Sequence, residues 1–280
     1  MTSHVLIIPA AGKGTRMTSV NPVLPKEMLN VQDKPAIQYA VEEGIAAGIS
    51  RVIIVVSPYK DIIREYFEDP AIARSMSPKG AIGIEEIHRR CQLQFVVQKE
   101  PRCEAHAISL AQSVAGTGPV AVFYPDNLCF PSLSALAELK ETFDTQGADV
   151  IGLAPALSES ASGIFHSGRV DLAPVEGETG LFRVIKLHPK HEGPFQSRCP
   201  EELRGFGIHM FGPHLFDYIE RAVKMVVGGE ITDEPVLDLI MKERGLLGKK
   251  VGAKVFDIGN PAGYRACLKA VSEGSAGGVV

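Results

Sequence analysis

Gly12-Lys13-Gly14-Thr15-Arg16 sets two glycines and two cations side by side, just after the apolar run Val5-Leu6-Ile7-Ile8 and its exit Pro9-Ala10-Ala11. Glycines let backbone N–H groups turn onto a bound anion, and Lys13 and Arg16 add donors that a neutral ligand would not require. The chemistry served by such a loop is polyphosphate binding. The dinucleotide fingerprint is excluded because Met17 stands where its third glycine would be, and the P-loop order of Gly, four residues and Gly-Lys-Ser/Thr is absent. A second block, Pro25-Lys26-Glu27-Met28-Leu29, follows shortly after. Farther on, the strand-like run Val120-Ala121-Val122-Phe123 ends in Tyr124-Pro125-Asp126-Asn127. Ligands of open parallel sheets sit beyond the carboxyl ends of the strands, so Asp126 is expected to face the glycine loop. Mg²⁺ takes one or two carboxylates together with phosphate oxygens and water. Asp126 can be one of these, and a second carboxylate is then expected elsewhere.

These blocks, with Asp33-Lys34-Pro35-Ala36-Ile37-Gln38-Tyr39 behind them, resemble the opening of the sugar-1-phosphate nucleotidylyltransferases, and among them the bacterial UTP–glucose-1-phosphate uridylyltransferases. The resemblance implies that the loop from Ala10 and Ala11 through Gly12, Lys13, Gly14 and Thr15, with Glu27 of the second block, wraps a nucleoside triphosphate. It implies phosphate contacts for Arg16 and Lys26 as the catalytic cations. Gln98, at the end of the run Gln92–Gln98, then meets the base, with His106 eight residues later. Cys103 and Ala105 stand where the family has glycines, and a Cβ at either site narrows the base pocket or tilts the base. The late block Val255-Phe256-Asp257-Ile258-Gly259-Asn260-Pro261-Ala262-Gly263-Tyr264 resembles the family's Asp-x-Gly-Asn-x-x-Gly-Tyr and assigns Asp257 as the second Mg²⁺ ligand.

The acceptor half departs from the glucose-specific pattern. Ser162-Gly163-Ile164-Phe165 resembles a segment whose glycine, here Gly163, lies against the sugar; Asn127 and Gly207 are assigned to the sugar phosphate in the same way. The family's Val-Glu-Lys-Pro aligns with Ile185-Lys186-Leu187-His188-Pro189, which puts Leu187 in the place of the Glu and His188 in the place of the Lys. A slide of two would instead bring Lys186 to the phosphate, and both alignments stay open. The family's Gly-Arg-Tyr becomes Gly207-Ile208-His209, and its Gln-Leu-Thr-Asp becomes Thr232-Asp233-Glu234-Pro235.

The elements that must position these residues read as alternating strands and helices through the first half. Ile37, Val41 and Ile45 form one stripe between Pro35 and Gly48, Arg51–Ser57 is a buried strand, and Lys60–Phe67 a short helix. Such βαβ order predicts a Rossmann-like, mostly parallel sheet flanked by helices. Asp69–Gly83 reads as a connection beside the sheet. Further on, strand-like runs broken by Gly and Pro predict a smaller β-rich annex packed on the main sheet, which the resemblance makes the sugar-binding part, followed by helices over Phe216–Val226, Glu234–Lys242 and Pro261–Val271. The expected organisation is a single nucleotidyltransferase domain over 1–272, with a nucleotide-binding half to about 130 and a sugar-binding half from about 131, then a frayed tail over 273–280.

The 280 residues carry a net charge of −4, so nucleic acid is not an expected partner and any anion site must be local. Five cysteines with no Cys-x-x-Cys spacing argue against a disulfide framework and a zinc site. No apolar run approaches the ~20 residues of a membrane span and no cleavable signal follows Met1, so the expectation is a cytoplasmic, soluble protein with no membrane partner. A homo-oligomer is expected as well. The reaction that the resemblance implies joins a nucleoside triphosphate, UTP favoured, to a sugar-1-phosphate, glucose-1-phosphate or a related sugar or cyclitol phosphate, and releases pyrophosphate. The alternatives are a catalytically silent regulatory or assembly subunit, and a dehydrogenase, which the missing third glycine disfavours.

Overall fold

The computed structural model describes residues 4–100, 102–130, 135–156, 168–189, 195–225 and 232–274. Its strands in chain order are β1 (Val5–Pro9), β2 (Asn30–Val31), β3 (Lys34–Pro35), β4 (Arg51–Val56), β5 (Gln92–Val97), β6 (Val120–Phe123), β7 (Asn127–Phe130), β8 (Val150–Pro155), β9 (Val170–Pro174), β10 (Leu181–Leu187), β11 (Leu203–Phe211), β12 (Leu247–Lys250) and β13 (Lys254–Asp257). A nine-stranded sheet runs β5-β4-β1-β6-β11-β8-β12-β10-β9. β7 and β13 form a separate two-stranded ribbon, and β2 pairs with β3.

β1 lies at the heart of the first half, paired in parallel with β4 and β6. Its alternation explains the continuous apolar run: Leu6 and Ile8 face one core, which includes Ile37 and Val41, while Val5 and Ile7 face another, which includes Ile108 and Ile219. Because β5, β4, β1 and β6 are all parallel, their carboxyl ends share one edge. The stripe predicted after Pro35 is the helix Ala36–Ala46, with Ile37, Val41 and Ile45 buried.

Two readings change. The Asp69–Gly83 stretch is not a plain connection but holds the helix Pro70–Met76 and the start of the helix Pro78–Arg90. In each, a capping side chain stands just before a proline at the first helical position: Asp69 accepts from the Ala71 N–H at 2.7 Å and Ser77 from the Gly80 N–H at 3.0 Å. The β-rich second half, moreover, extends the main sheet rather than packing on it. β11 runs antiparallel to both β6 and β8, and the β9–β10 hairpin forms the far edge. A register shift between Val184 and Lys186 marks a bulge in that hairpin, and a bridge between Arg169 and Arg204 ties its end back to β11.

Candidate active site

A cleft of about 460 Å³ opens at the carboxyl edge of the parallel strands and takes in the glycine loop, Lys26, Gln98, Asp126 and Asp257. The loop leaves β1 and turns through Gly14, whose φ of 64° is a left-handed conformation that glycine adopts without penalty. A short helical turn, Thr15–Met17, follows and buries Met17, which anchors the loop while Lys13 and Arg16 stay exposed. The second block forms another such turn, Lys26–Met28, with Met28 buried beneath it.

Adjacent residues of that turn point opposite ways. The Lys26 ammonium bonds to the Asp126 carboxylate in the cleft. Glu27 faces inward and takes a 2.8 Å hydrogen bond from the buried ammonium of Lys60, which also donates to the Ala10 carbonyl at 2.9 Å. Burial works against charge on Lys26, but Asp126, Glu27 and Asp257 outweigh it and hold the ammonium above its ordinary range. Burial would likewise raise the Asp126 carboxyl, yet Lys26, Arg16 and the Asn127 amide hold it below the usual carboxylate range. On Lys60 the balance tips the other way, and burial lowers its affinity for the proton despite Glu27.

Asp126 and Asp257 meet because β13 pairs with β7 in the register Asp257↔Asn127, with a further bond from the Ile258 N–H to the Asp126 carbonyl at 2.8 Å. Both carboxylates converge over Gly259, where a Cβ would come within 2.7 Å of Asp126 Oδ2 and 3.1 Å of Asp257 Oδ1. Only glycine leaves that space open. Asn260 then caps the closing helix Pro261–Ser272 by accepting from the Gly263 N–H at 2.9 Å, which fixes the end of the ribbon. Beneath the ribbon, Arg204 is fully buried; burial brings its guanidinium down to about 10 while Asp257 opposes the shift.

The structure gathers most of the expected residues. Ala11, Gly12, Lys13, Gly14, Thr15, Arg16, Lys26, Gln98, Cys103, Asp126, Asn127, Gly207 and Asp257 all line the cleft, as do Leu187 and His188. Asn127 bridges the two halves, donating to Asp126 Oδ1 at 2.9 Å and accepting from the Gly207 N–H at 3.3 Å. His188 is held from behind by Asp171 at 2.8 Å, which also takes a bond from Arg198 at 3.0 Å.

Five expected residues behave differently. The Ala10 side chain is buried away from the cleft, and its carbonyl serves Lys60. Glu27 borders the cleft, but its carboxylate is committed to Lys60. His106 stands behind Gln98, its Nδ1 2.9 Å from the amide nitrogen, and orients that side chain. Lys186 is exposed on β10 and does not line the cleft, because strand alternation turns it away from the side that presents Leu187. Gly163 lies outside the described residues. Cys103, where the resemblance wants glycine, has a φ of 75°, so a side chain occupies a backbone conformation suited to glycine. Sequence reasoning missed Lys60, Tyr124 and Gly259 as site-building residues. Gly259 was inside the matched late block, and Tyr124 stands two residues before Asp126.

A cationic glycine loop facing a carboxylate pair across one cleft can hold a polyphosphate and a divalent cation together, the equipment of an enzyme that works on nucleoside triphosphates. The chain belongs to the nucleotidyl transferase family, whose sequence profile it matches over residues 5–273. It is 32% identical over 263 residues to UTP–glucose-1-phosphate uridylyltransferase 1 of Staphylococcus saprophyticus, covering 92% of this chain and 88% of the relative. It is 29% identical, again over 263 residues, to the UTP–glucose-1-phosphate uridylyltransferase of Bacillus subtilis, covering 92% of this chain and 87% of the relative. The crystal structure of UDP-glucose pyrophosphorylase complexed with UDP-glucose superposes with a TM-score of 0.79 at 27% identity, covering 98% of this chain and 99% of that one. Among the described residues, no helix is long and apolar enough to cross a membrane.

Proposed function

We propose that this nucleotidyl transferase joins a nucleoside triphosphate, UTP favoured, to the phosphate of a sugar-1-phosphate or a related cyclitol phosphate and releases pyrophosphate. The observation that carries the reading is the convergence of Asp126 and Asp257 over Gly259, opposite the glycine loop and beside Lys26. An oxygen of the acceptor phosphate attacks the α-phosphorus in line, the bond to the β-phosphate oxygen breaks, and pyrophosphate leaves. No covalent intermediate on the protein is needed. Two anions must approach each other, so the chain's task is positioning and charge neutralisation. Backbone N–H groups of Gly12–Thr15, with Lys13 and Arg16, hold the phosphates. Lys26 neutralises charge at the α-phosphate, and Gln98, oriented by His106, meets the base.

The carboxylate pair fits Mg²⁺. It supplies the one or two protein ligands that Mg²⁺ takes alongside phosphate oxygens and water, and the Lys26 ammonium marks the spot as one that attracts positive charge. Mg²⁺ held there would draw charge from the transferring phosphoryl group. At the acceptor end, His188 lines the cleft and is braced by Asp171, which supports its meeting the acceptor phosphate. The names of the relatives support UTP and a glucose-type acceptor. The test is pyrophosphate release from a grid of nucleoside triphosphates against sugar and cyclitol phosphates with Mg²⁺. Release with UTP and at least one hexose 1-phosphate is expected. Nucleotide binding with no release from any pair would overturn the reading in favour of a silent subunit.

A further inference from the structure

Gln98 follows β5 at the carboxyl edge of the sheet, where its backbone N–H donates to the Val56 carbonyl at 2.8 Å. The residue is buried, yet it lines the cleft. Around it the lining comes from Ala11, at the root of the glycine loop, and from Cys103, Glu104 and Ala107 of the helix Cys103–Leu110. Small side chains about a single amide leave room for a flat ring. The cations Lys13 and Arg16 lie farther along the loop, so this is the base end of a nucleotide whose phosphates they hold.

The neighbours of that amide fix its orientation. Its Nε2 stands 3.2 Å from the Cys103 carbonyl oxygen and 2.9 Å from His106 Nδ1. A backbone carbonyl has no hydrogen to give, so the amide must face it with nitrogen; the flipped amide would set oxygen against oxygen. The second amide hydrogen then goes to His106, and Nδ1 must receive it on a lone pair. His106 is therefore the neutral imidazole with its own hydrogen on Nε2. Burial first, and then the Arg102 guanidinium, lower the affinity of this imidazole for a further proton, while Glu100 opposes them. Both amide hydrogens are thus spent on the helix Cys103–Leu110. Among the described residues Gln98 Oε1 takes no hydrogen bond, which leaves this oxygen, an acceptor only, for a ligand.

We propose that His106 is a positioning residue: by taking one amide hydrogen of Gln98 on Nδ1 it keeps the amide oxygen for the ligand, so that the site selects bases offering a ring N–H, such as uracil, over bases offering a ring lone pair there, such as cytosine. This rests on the transfer reading only for the ligand being a nucleoside triphosphate. Against cytosine two lone pairs would oppose each other, and a site built around a hydrogen bond rejects the partner that cannot make it. The amide cannot turn its nitrogen to cytosine without giving up Cys103 and His106 together. Without the His106 acceptor, only the 3.2 Å bond to Cys103 resists that rotation.

The test is calorimetric binding of UTP and of CTP, each with Mg²⁺, to wild type, His106→Leu and His106→Asn. Asn carries an amide oxygen as many bonds from Cβ as Nδ1 is, so it restores the acceptor without the ring. Wild type should bind UTP at least about tenfold more tightly than CTP. His106→Leu should lose about tenfold in UTP affinity and bring the two nucleotides within about threefold of each other, and His106→Asn should recover most of the preference. A role in packing alone would weaken both nucleotides equally and leave their ratio unmoved. Equal binding of UTP and CTP by wild type, a ratio unchanged in His106→Leu, or a folded His106→Asn no more selective than His106→Leu would overturn the assignment. Binding needs no turnover, so a wild type that shows this preference and releases no pyrophosphate counts against the transfer reading alone.

Discussion

The two ends of the cleft are built by different means. At the donor end one stretch, Pro9–Met28, supplies the anion loop, the bridging lysine and the buried support beneath it, and strand β1 sets its direction. At the acceptor end the lining comes from Gly168 and Val170, Leu187 and His188, Gly205–Gly207 and Thr232–Glu234, pieces that adjoin only because β11 lies beside β6 and the bulged β9–β10 hairpin ties back to β11. On the proposed reading the donor end is largely local in sequence, and its charges neutralise phosphate regardless of what the phosphate is attached to. The acceptor end, on the same reading, is assembled from the central strand β11, the β9–β10 hairpin at the far edge and connections, so its lining depends on residues far apart in sequence. In such a cleft the reaction type can persist while the acceptor changes.

The largest effect that would break this contrast lies under the donor end. Glu27 and Lys60 form a buried pair, and Glu27→Ala leaves an ammonium with no carboxylate in a site that already disfavours its charge. Stability measured by denaturant unfolding should fall by about 3–5 kcal/mol. A loss below about 1 kcal/mol would mean that the loop does not depend on this support. One residue earlier, Lys26→Ala removes a cleft cation without touching the core, so the fold should persist while turnover drops by about 10²- to 10³-fold. Near wild-type turnover in the folded variant would remove Lys26 from the chemistry.

Smaller effects sharpen the acceptor side. His188 lines the cleft and Lys186 does not, so His188→Ala should raise the acceptor KM about tenfold, the size of one lost hydrogen bond to a charged group, and Lys186→Ala should leave it unchanged. The reverse pattern would restore the shifted alignment. The smallest concerns Cys103, whose positive φ is strained for any residue with a Cβ. Cys103→Gly should stabilise the protein by about 1 kcal/mol, and a loss instead would mean the backbone there is not held in that conformation.

How much of this was readable in the sequence follows the same division. The loop, the Pro-Lys block and the strands that lead into them are contiguous, and their periodicity and glycine chemistry announced both the elements and the loop that lines the cleft. Asp257 came through its block resemblance, although the reason it meets Asp126, the β7–β13 register, involves strands too short to carry a pattern. Lys60 read only as the start of a short helix, and the structure turns its ammonium inward to Ala10 and Glu27. The choice between Lys186 and His188 depended on which side of β10 faces the cleft, and a bulge makes that parity unreadable from spacing.

The central claim is that Asp126 and Asp257, joined by the short ribbon, form with Lys26 and the glycine loop one Mg²⁺-dependent transfer centre. Its most direct test is a Mg²⁺ titration of pyrophosphate release in wild type, Asp126→Asn and Asp257→Asn. The account predicts activity that vanishes on chelation, returns with Mg²⁺, and in each variant requires more metal and reaches a lower maximum. Wild-type release that survives chelation, or an Asp257→Asn titration superimposable on the wild type, would contradict it.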